Sequence, residues 1–299
     1  MTTAIIGAGE MGTWFARQDR KQGIEVILAD SDIPKARDAS REIGARFGEV
    51  GEAIRAADKV MLAASLGANE DIIDEYSTDL REKTVLDISS VKNGITGKLR
   101  MLGPKTYSIH PMWGGDTSDD LKGRNLISIP LHSLEDPAYA RFLGKEEEIF
   151  RRQGANVRRV ADEREHDILM AETLAAYHFG AMVMGATVSG NGLGFREHFG
   201  LIGTTATLAD VSIGSVVHQN PRLYAEIQMR NPYFPAVMDR FIEKAKTLRA
   251  HVLEGNREGF TAYMMATSDY FRDGRDPKEY RAAEKGKFMA AVDAIRTKR

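Results

Sequence analysis

The chain contains no cysteine, which excludes disulfides, thiolate metal sites and a cysteine nucleophile and leaves nothing that points to an oxidising compartment. It also lacks an excess of charge of either sign: 41 basic residues stand against 43 acidic ones, a formal net charge of -2. A surface built for nucleic acid or another polyanion is therefore not expected. Long apolar runs are almost missing. The run from Ala4 to Ala8 is too short for a targeting peptide and leads straight into a glycine turn. Only Ile168 to Val188 reaches the length of a membrane span, and it carries Glu172 and His178 among small residues such as Ala171, Gly180 and Gly185 that let helices approach closely. It is expected to be a buried helix of a soluble, cytoplasmic protein without a membrane partner.

What is present is enough chain for two cores, 299 residues. Up to about Val160, short apolar runs alternate with longer amphipathic ones, the pattern of a parallel sheet covered by helices. Strands are expected at Ala4–Ile6, Glu25–Ala29, Lys59–Ala63, Thr84–Ile88, Thr106–Ile109, Leu126–Pro130 and Asn156–Val160. Helices are expected near Met11–Gln22, Ile33–Gly44, Val50–Ala57, Asn69–Leu80 and Tyr139–Gln153. After Val160 the strand signal vanishes and helical patterns follow one another, ending in a charged tail. The fold class is α/β: a Rossmann-type domain over residues 1–160, then an all-α domain over 161–299.

Ile5-Ile6-Gly7-Ala8-Gly9-Glu10-Met11-Gly12 is a strand entering Gly-x-Gly-x-x-Gly and then a helix. Gly7 permits the tight turn, Gly9 the approach of a pyrophosphate, and Gly12 close helix packing, with the helix N-terminus facing phosphate charge. Asp30 ends the second strand where an acid grips the adenosine ribose, and a carboxylate there repels a ribose phosphate. The expected cofactor is NAD, although Lys35 and Arg37 lie near in sequence. Gly7, Gly9, Glu10, Met11, Gly12, Asp30 and Ser65 form the expected cofactor set.

Oxidation of an alcohol by a nicotinamide needs a proton acceptor and groups that fix the reacting carbon. His110, at the carboxyl end of a parallel strand, is the natural base; the alternative is a structural histidine at a strand end. Ser89, Ser90 and Lys92 follow the preceding strand and emerge on the same edge. Ser90 is expected to bond the substrate hydroxyl and Lys92 to attract a carboxylate or steady the site; alternatively a serine caps the turn and Lys92 is a solvated charge. No metal is expected.

Asp87-Ile-Ser-Ser-Val-Lys92, His110-Pro-Met112, His166-Asp-x-x-Met-Ala171, His178-Phe179 and Gln219-Asn-Pro-x-Leu-Tyr-Ala-x-Ile-Gln-Met229, in that order after the glycine fingerprint, resemble the prephenate dehydrogenase family, above all its stand-alone archaeal-type members. The resemblance implies oxidation of a ring hydroxyl by NAD with loss of carbon dioxide, giving 4-hydroxyphenylpyruvate from prephenate in tyrosine biosynthesis, and a homodimer formed through the helical domain. It assigns His110 as the group that polarises or deprotonates the hydroxyl, Ser90 as a group that helps place that hydroxyl, and His178 as a substrate contact. By the residues alone His178 reads rather as a core histidine, since it shares a helix face with Met170, Leu174 and Met182, and His166 with Asp167 is read as structural because it falls in an acidic first helical turn. Trp113 and Arg196 complete the expected substrate-binding set for a small carboxylate. The match departs at Ser215 and Thr207, where the family often has arginine, and in Trp113-Gly-Gly-Asp116 after the methionine. These departures leave room for another small hydroxy acid as substrate, or for a non-catalytic NAD-binding regulator.

Overall fold

A computed structural model describes residues 1–272 and 274–296. The chain forms two compact units, Met1–Met170 with Glu226–Pro232, and Ala171–Ala225 with the chain from Tyr233 onward. The first unit thus runs ten residues past the expected boundary at 160 and recruits a short piece of the helical half.

The first unit is built on one eight-stranded sheet: β1 (Thr2–Ile6), β2 (Glu25–Ala29), β3 (Arg46–Phe47), β4 (Lys59–Leu62), β5 (Thr84–Asp87), β6 (Thr106–Pro111), β7 (Asn125–Ile129) and β8 (Asn156–Arg159). Their order is β3-β2-β1-β4-β5-β6-β7-β8, so the first six follow the order of a dinucleotide-binding sheet whose connections reverse direction between β1 and β4. Ligands gather at that switch point, outside the carboxyl ends of the strands. Residues of β1, β2, β4, β5 and β6 are almost all buried, as helices on both faces require.

Two features of the sheet depart from the sequence pattern. The two-residue edge strand Arg46–Phe47 is too short to leave a signal, and β7 runs antiparallel to β6, with Ser108 opposite Ile129. The expected sheet was wholly parallel. A parallel return needs a crossover, usually a helix, whereas the segment between β6 and β7 carries none. The helix Pro137–Arg152 then restores a parallel crossover into β8. A further helix, Ile95–Leu102, follows β5 and was not apparent in the sequence.

The segment between β6 and β7 is fastened to the first helix, Glu10–Lys21. Trp14 Nε1 donates to the Thr117 carbonyl at 3.0 Å, and a Cβ on Gly115 would stand 2.5 Å from the Glu10 carbonyl oxygen. Only glycine at 115 allows that approach.

The second unit is helical. The long helix begins in the first unit as Glu163–Met170, passes a π-turn at Ala171–Ala175 where the units divide, and continues as Ala176–Ser189. Among the described residues it is the one helix long and apolar enough to cross a membrane by length and composition. The expectation of a buried helix is corrected: beyond Met170 it buries Ala171, Ala175, His178 and Ala181 and leaves Tyr177, Val183 and Met184 exposed. Its small residues do serve close packing, since a Cβ on Gly185 would come within 2.9 Å of Ile213. The charged C-terminal segment forms the helix Pro277–Arg296; residues 273 and 297–299 of the expected tail lie outside the described residues.

Candidate active site

The glycine loop sits at the switch point. Gly7 donates to the Ala29 carbonyl at 2.7 Å, and the Ile6 carbonyl accepts from Ala63 at 2.8 Å, so the loop is wedged between β2 and β4. Gly7 has φ +118°, and a Cβ there would lie 2.5 Å from the Ala63 carbonyl group. A Cβ on Gly12 would overlap the Gly7 carbonyl oxygen, whereas one on Gly9 would meet no atom within 4 Å. Gly7 and Gly12 therefore close the turn, and Gly9 leaves its outer face open. Gly9 is also the N-cap of the helix that follows, with no side chain bonded to the first-turn N–H groups. Exposed Glu10 and half-buried Met11 open that helix.

Asp30 reaches back to the loop: one carboxylate oxygen accepts from Ala8 N–H at 2.7 Å and the other from Asp32 N–H at 3.0 Å. Burial raises its pKa, but those N–H groups and Lys35, 3.5 Å away, outweigh burial and hold it below the ordinary carboxylate value. The Arg37 guanidinium lies 5.3 Å from the centre of the Phe47 ring. Ser65 caps the helix Leu66–Glu75 by accepting from Ala68 N–H at 3.4 Å.

Pairing of Asp87 with Ser108 sets the residues that follow β5 beside those that follow β6, which brings the Ser89–Lys92 segment and His110 to one sheet edge. His110 is buried, and its Nδ1 lies 2.9 Å from His166 Nε2; His166 Nδ1 in turn lies 2.7 Å from Asp167 Oδ1. The Asp167 carboxylate also accepts from Lys92 N–H at 2.9 Å and Asn93 N–H at 2.8 Å. The reading of His166 and Asp167 as merely structural is thus corrected, because they hydrogen-bond in series to the expected base. Their place at an acidic helix start masked this, since a first-turn aspartate has a sufficient local explanation in the helix dipole.

Burial is the main cause that depresses His110 well below the ordinary imidazole value of 6.5, with His166 and Lys92 adding to it and Asp87 opposing. Burial and Lys92 take His166 down to about 3, against the pull of Asp87. Both rings are neutral at neutral pH. Burial also raises Asp167, opposed by the N–H groups of Lys92 and Asn93.

Lys92 does not meet a substrate carboxylate. Its side chain is fully buried, with the ammonium 2.8 Å from Asp87 Oδ2 and 2.8 Å from the Ile109 carbonyl oxygen. The expected carboxylate contact and the alternative of a solvated charge are corrected in favour of the other expected role, steadying the site: Lys92 is a strut that joins β5 to β6 immediately before His110. Ser108 adds a hydroxyl to the same Asp87 oxygen at 2.7 Å. Half-buried Ser90 makes no hydrogen bond with its hydroxyl among the described residues, while Ser89 Oγ accepts from Asn69 Nδ2 at 3.2 Å. Fully buried Asn69 also exchanges hydrogen bonds with both backbone groups of Ala64, at 3.2 Å each. It ties the segment after β4 to that after β5, and no periodicity singles it out in the sequence.

Trp113 turns its ring onto Trp14, 5.7 Å between centres, and packs against the main core. Its ring thereby clamps the segment after β6. In the second unit His178 is buried, tilted against the Tyr224 ring at 4.3 Å, and its Nδ1 has no hydrogen-bond partner. Arg196 is exposed on the helix Phe195–Leu201.

Residues 2–91 match the family model described as NADP oxidoreductase coenzyme F420-dependent, and residues 162–266 match the prephenate dehydrogenase dimerization domain. The chain is 29% identical over 277 residues to a probable arogenate/prephenate dehydrogenase of Methanocaldococcus jannaschii, with 91% of this chain covered, and it spans 61% of that relative's length. The fold is shared with prephenate dehydrogenase from A. aeolicus, solved in complex with hydroxyphenyl propionate and NAD+ (TM-score 0.75, 17% identity, 91% of this chain and 98% of that one). It is shared as well with Synechocystis arogenate dehydrogenase (TM-score 0.67, 16% identity, 91% and 99%). With a dinucleotide-type loop at the switch point, a histidine at the adjacent sheet edge and a dimerization-domain match over its helical half, the chain is similar to members of the prephenate dehydrogenase family.

Proposed function

We propose that the protein oxidises the ring hydroxyl of prephenate or a closely related cyclohexadienyl acid with NAD, releasing carbon dioxide and giving 4-hydroxyphenylpyruvate in the prephenate case. One observation carries this reading: His110 is a buried, neutral imidazole at the carboxyl edge of the sheet, hydrogen-bonded from behind through Nδ1. That arrangement leaves Nε2 as the nitrogen for a substrate hydroxyl.

The loop fits a dinucleotide. The open face at Gly9 and the uncapped N–H groups of the helix that follows suit a pyrophosphate, with Gly7, Gly12, Glu10, Met11 and Ser65 shaping the surroundings. Asp30 is placed at the end of β2 for a ribose diol. Its negative charge favours NAD over NADP, and the nearby cations are engaged, Lys35 with Asp30 itself and Arg37 on Phe47. Bound there, the nicotinamide supplies the acceptor for the hydride that leaves the carbinol carbon. His110 takes the hydroxyl proton and Ser90 orients the hydroxyl. Aromatisation then drives loss of carbon dioxide without a metal.

The reading includes substrate contact by His178, a cytoplasmic homodimer, and dimerisation through the second unit, whose exposed Tyr177, Val183, Met184, Met264 and Met265 are an apolar surface for a second copy. A second reading, arogenate over prephenate, is favoured by Ser215 and Thr207. Each hydroxyl donates to its own helix turn, Ser215 to the Ser212 carbonyl and Thr207 to the Gly203 carbonyl. Neither position offers a cation for a second carboxylate, which suits a side chain that carries an amine.

The test is NADH formation with carbon dioxide release on purified protein given NAD and prephenate or arogenate. Turnover with either substrate supports the proposal and their ratio decides between the two readings. NAD binding without turnover on either sinks both.

A further inference from the structure

We infer that Asp167, acting through His166, sets the tautomer of His110, so that His110 carries its proton on Nδ1 and presents Nε2 as a free lone pair. The inference rests on the proposed role of His110 as base and adds two positioning residues to it.

The hydrogen-bond partners determine the assignment. Both Asp167 oxygens accept from backbone N–H groups, of Lys92 and of Asn93, which can only donate. These N–H contacts to both oxygens favour the ionised form over the neutral acid, and the carboxylate accepts a further bond from His166 Nδ1 at 2.7 Å. His166 therefore holds its proton on Nδ1. Neutral, it has only a lone pair on Nε2, which faces His110 Nδ1 at 2.9 Å. His110 must donate there, and its remaining nitrogen is unprotonated. The reverse chain, from a protonated Asp167 outward, would put a proton on His110 Nε2 and abolish the base.

All three groups are essentially excluded from water, so the order of donors is not scrambled by solvent. Asp167 is itself held in place: its backbone carbonyl accepts from Asn231 Nδ2 at 2.7 Å. Glu163, one turn earlier, is anchored by both guanidinium N–H groups of Arg100. In the reaction the substrate O–H bond breaks and its proton passes to His110 Nε2. The oxygen's electron pair becomes the new C=O bond as the hydride leaves for the nicotinamide. The resulting imidazolium keeps its Nδ1–H directed at His166, with the Asp167 carboxylate beyond compensating its charge.

The deciding measurement is a long-range 15N–1H spectrum of the unaltered protein at neutral pH, which needs no substrate. Pyrrole-type Nδ1 and pyridine-type Nε2 are expected for both His110 and His166; a protonated Nε2 on His110 overturns the inference even if the protein is a dehydrogenase. The variant is Asp167→Asn. Its amide oxygen keeps the Lys92 and Asn93 N–H groups while its NH2 donates to His166 Nδ1, so both histidine tautomers reverse. The same reversal in an Asp–His–Ser triad costs about 10⁴-fold in kcat, and a loss of roughly 10³- to 10⁴-fold is expected here, with the NAD dissociation constant unchanged. Turnover of Asp167→Asn within tenfold of the unaltered protein overturns the inference. Absence of turnover in the unaltered protein defeats the proposed function instead, and the spectrum still decides the tautomer.

Discussion

The Lys92 ammonium and the Asp87 carboxylate lie 2.8 Å apart with neither side chain exposed to solvent. Burial alone would raise the acid and lower the base, yet Lys92, Ser89 and Ser108 together hold Asp87 below the ordinary carboxylate value. The second bond of the ammonium, to the Ile109 carbonyl, makes this pair the floor beneath His110.

Lys92→Met leaves Asp87 buried without its counter-charge. Removal of one partner of a buried pair costs about 3–5 kcal/mol, and urea denaturation of the variant is expected to show a loss of that size. A stable variant with raised KM and unchanged midpoint would instead mean that the ammonium acts on substrate.

His110→Asn keeps a polar group of similar reach and removes the proposed base. Loss of general-base catalysis is worth roughly 10²- to 10⁴-fold, so kcat should fall within that range while calorimetry shows unaltered NAD affinity. Retention of full turnover would assign the proton to another group.

As the proposed base, His110 acts in its unprotonated form, and burial keeps its pKa well below 6.5. The acid limb of kcat/KM for the unaltered enzyme is therefore expected below pH 6.5, later than a solvent-exposed histidine would give. Stability carries the matching sign. His166, at about 3 in the folded state against an ordinary value of 6.5, binds its proton more readily when the chain is unfolded. Its contribution is complete above pH 6.5 and is lost as pH falls towards 3, by about 1.4 kcal/mol per pH unit. Denaturant midpoints measured down that range should decline; a flat profile would contradict the burial of a neutral ring.

Gly12→Ala places a methyl group on the Gly7 carbonyl oxygen. Backbone cannot move aside as a flexible side chain does, so the loop must open, at about 1–3 kcal/mol of stability, with NAD binding weakened in a fluorescence titration. Gly9→Ala, which meets no protein atom, should leave stability unchanged and weaken the dinucleotide alone. Equal effects of the two on folding would refute this division of roles.

Asp30→Ala removes a carboxylate that accepts from Ala8 and Asp32 N–H groups. Hydrogen bonds to a charged group are worth about 1.5–3 kcal/mol, so NAD should bind roughly ten- to a hundredfold more weakly and the margin over NADP should shrink. An unchanged ratio of the two affinities would remove Asp30 from cofactor choice.

Local chemistry made the cofactor side legible. A glycine turn between a strand and a helix, with an acid at the end of the next strand, is written in consecutive residues, because the backbone conformation and the phosphate-facing helix start are local properties. His110 and Ser90 were visible for the same reason, each standing at the end of an apolar run. The roles of Lys92, Trp113, His166, Asp167 and Asn69 were decided only by tertiary structure. A ring clamp and a chain of two imidazoles join residues far apart in sequence, and the Asp87–Lys92 pair, though five residues apart, is sealed from water only by the packing around it; a lone lysine or an acidic helix start reads identically whether its partner is water or the proposed base. The antiparallel β7 belongs to the same class: the absence of a helix between β6 and β7 lets the strand turn back, but only its hydrogen bonds to β6 define its direction.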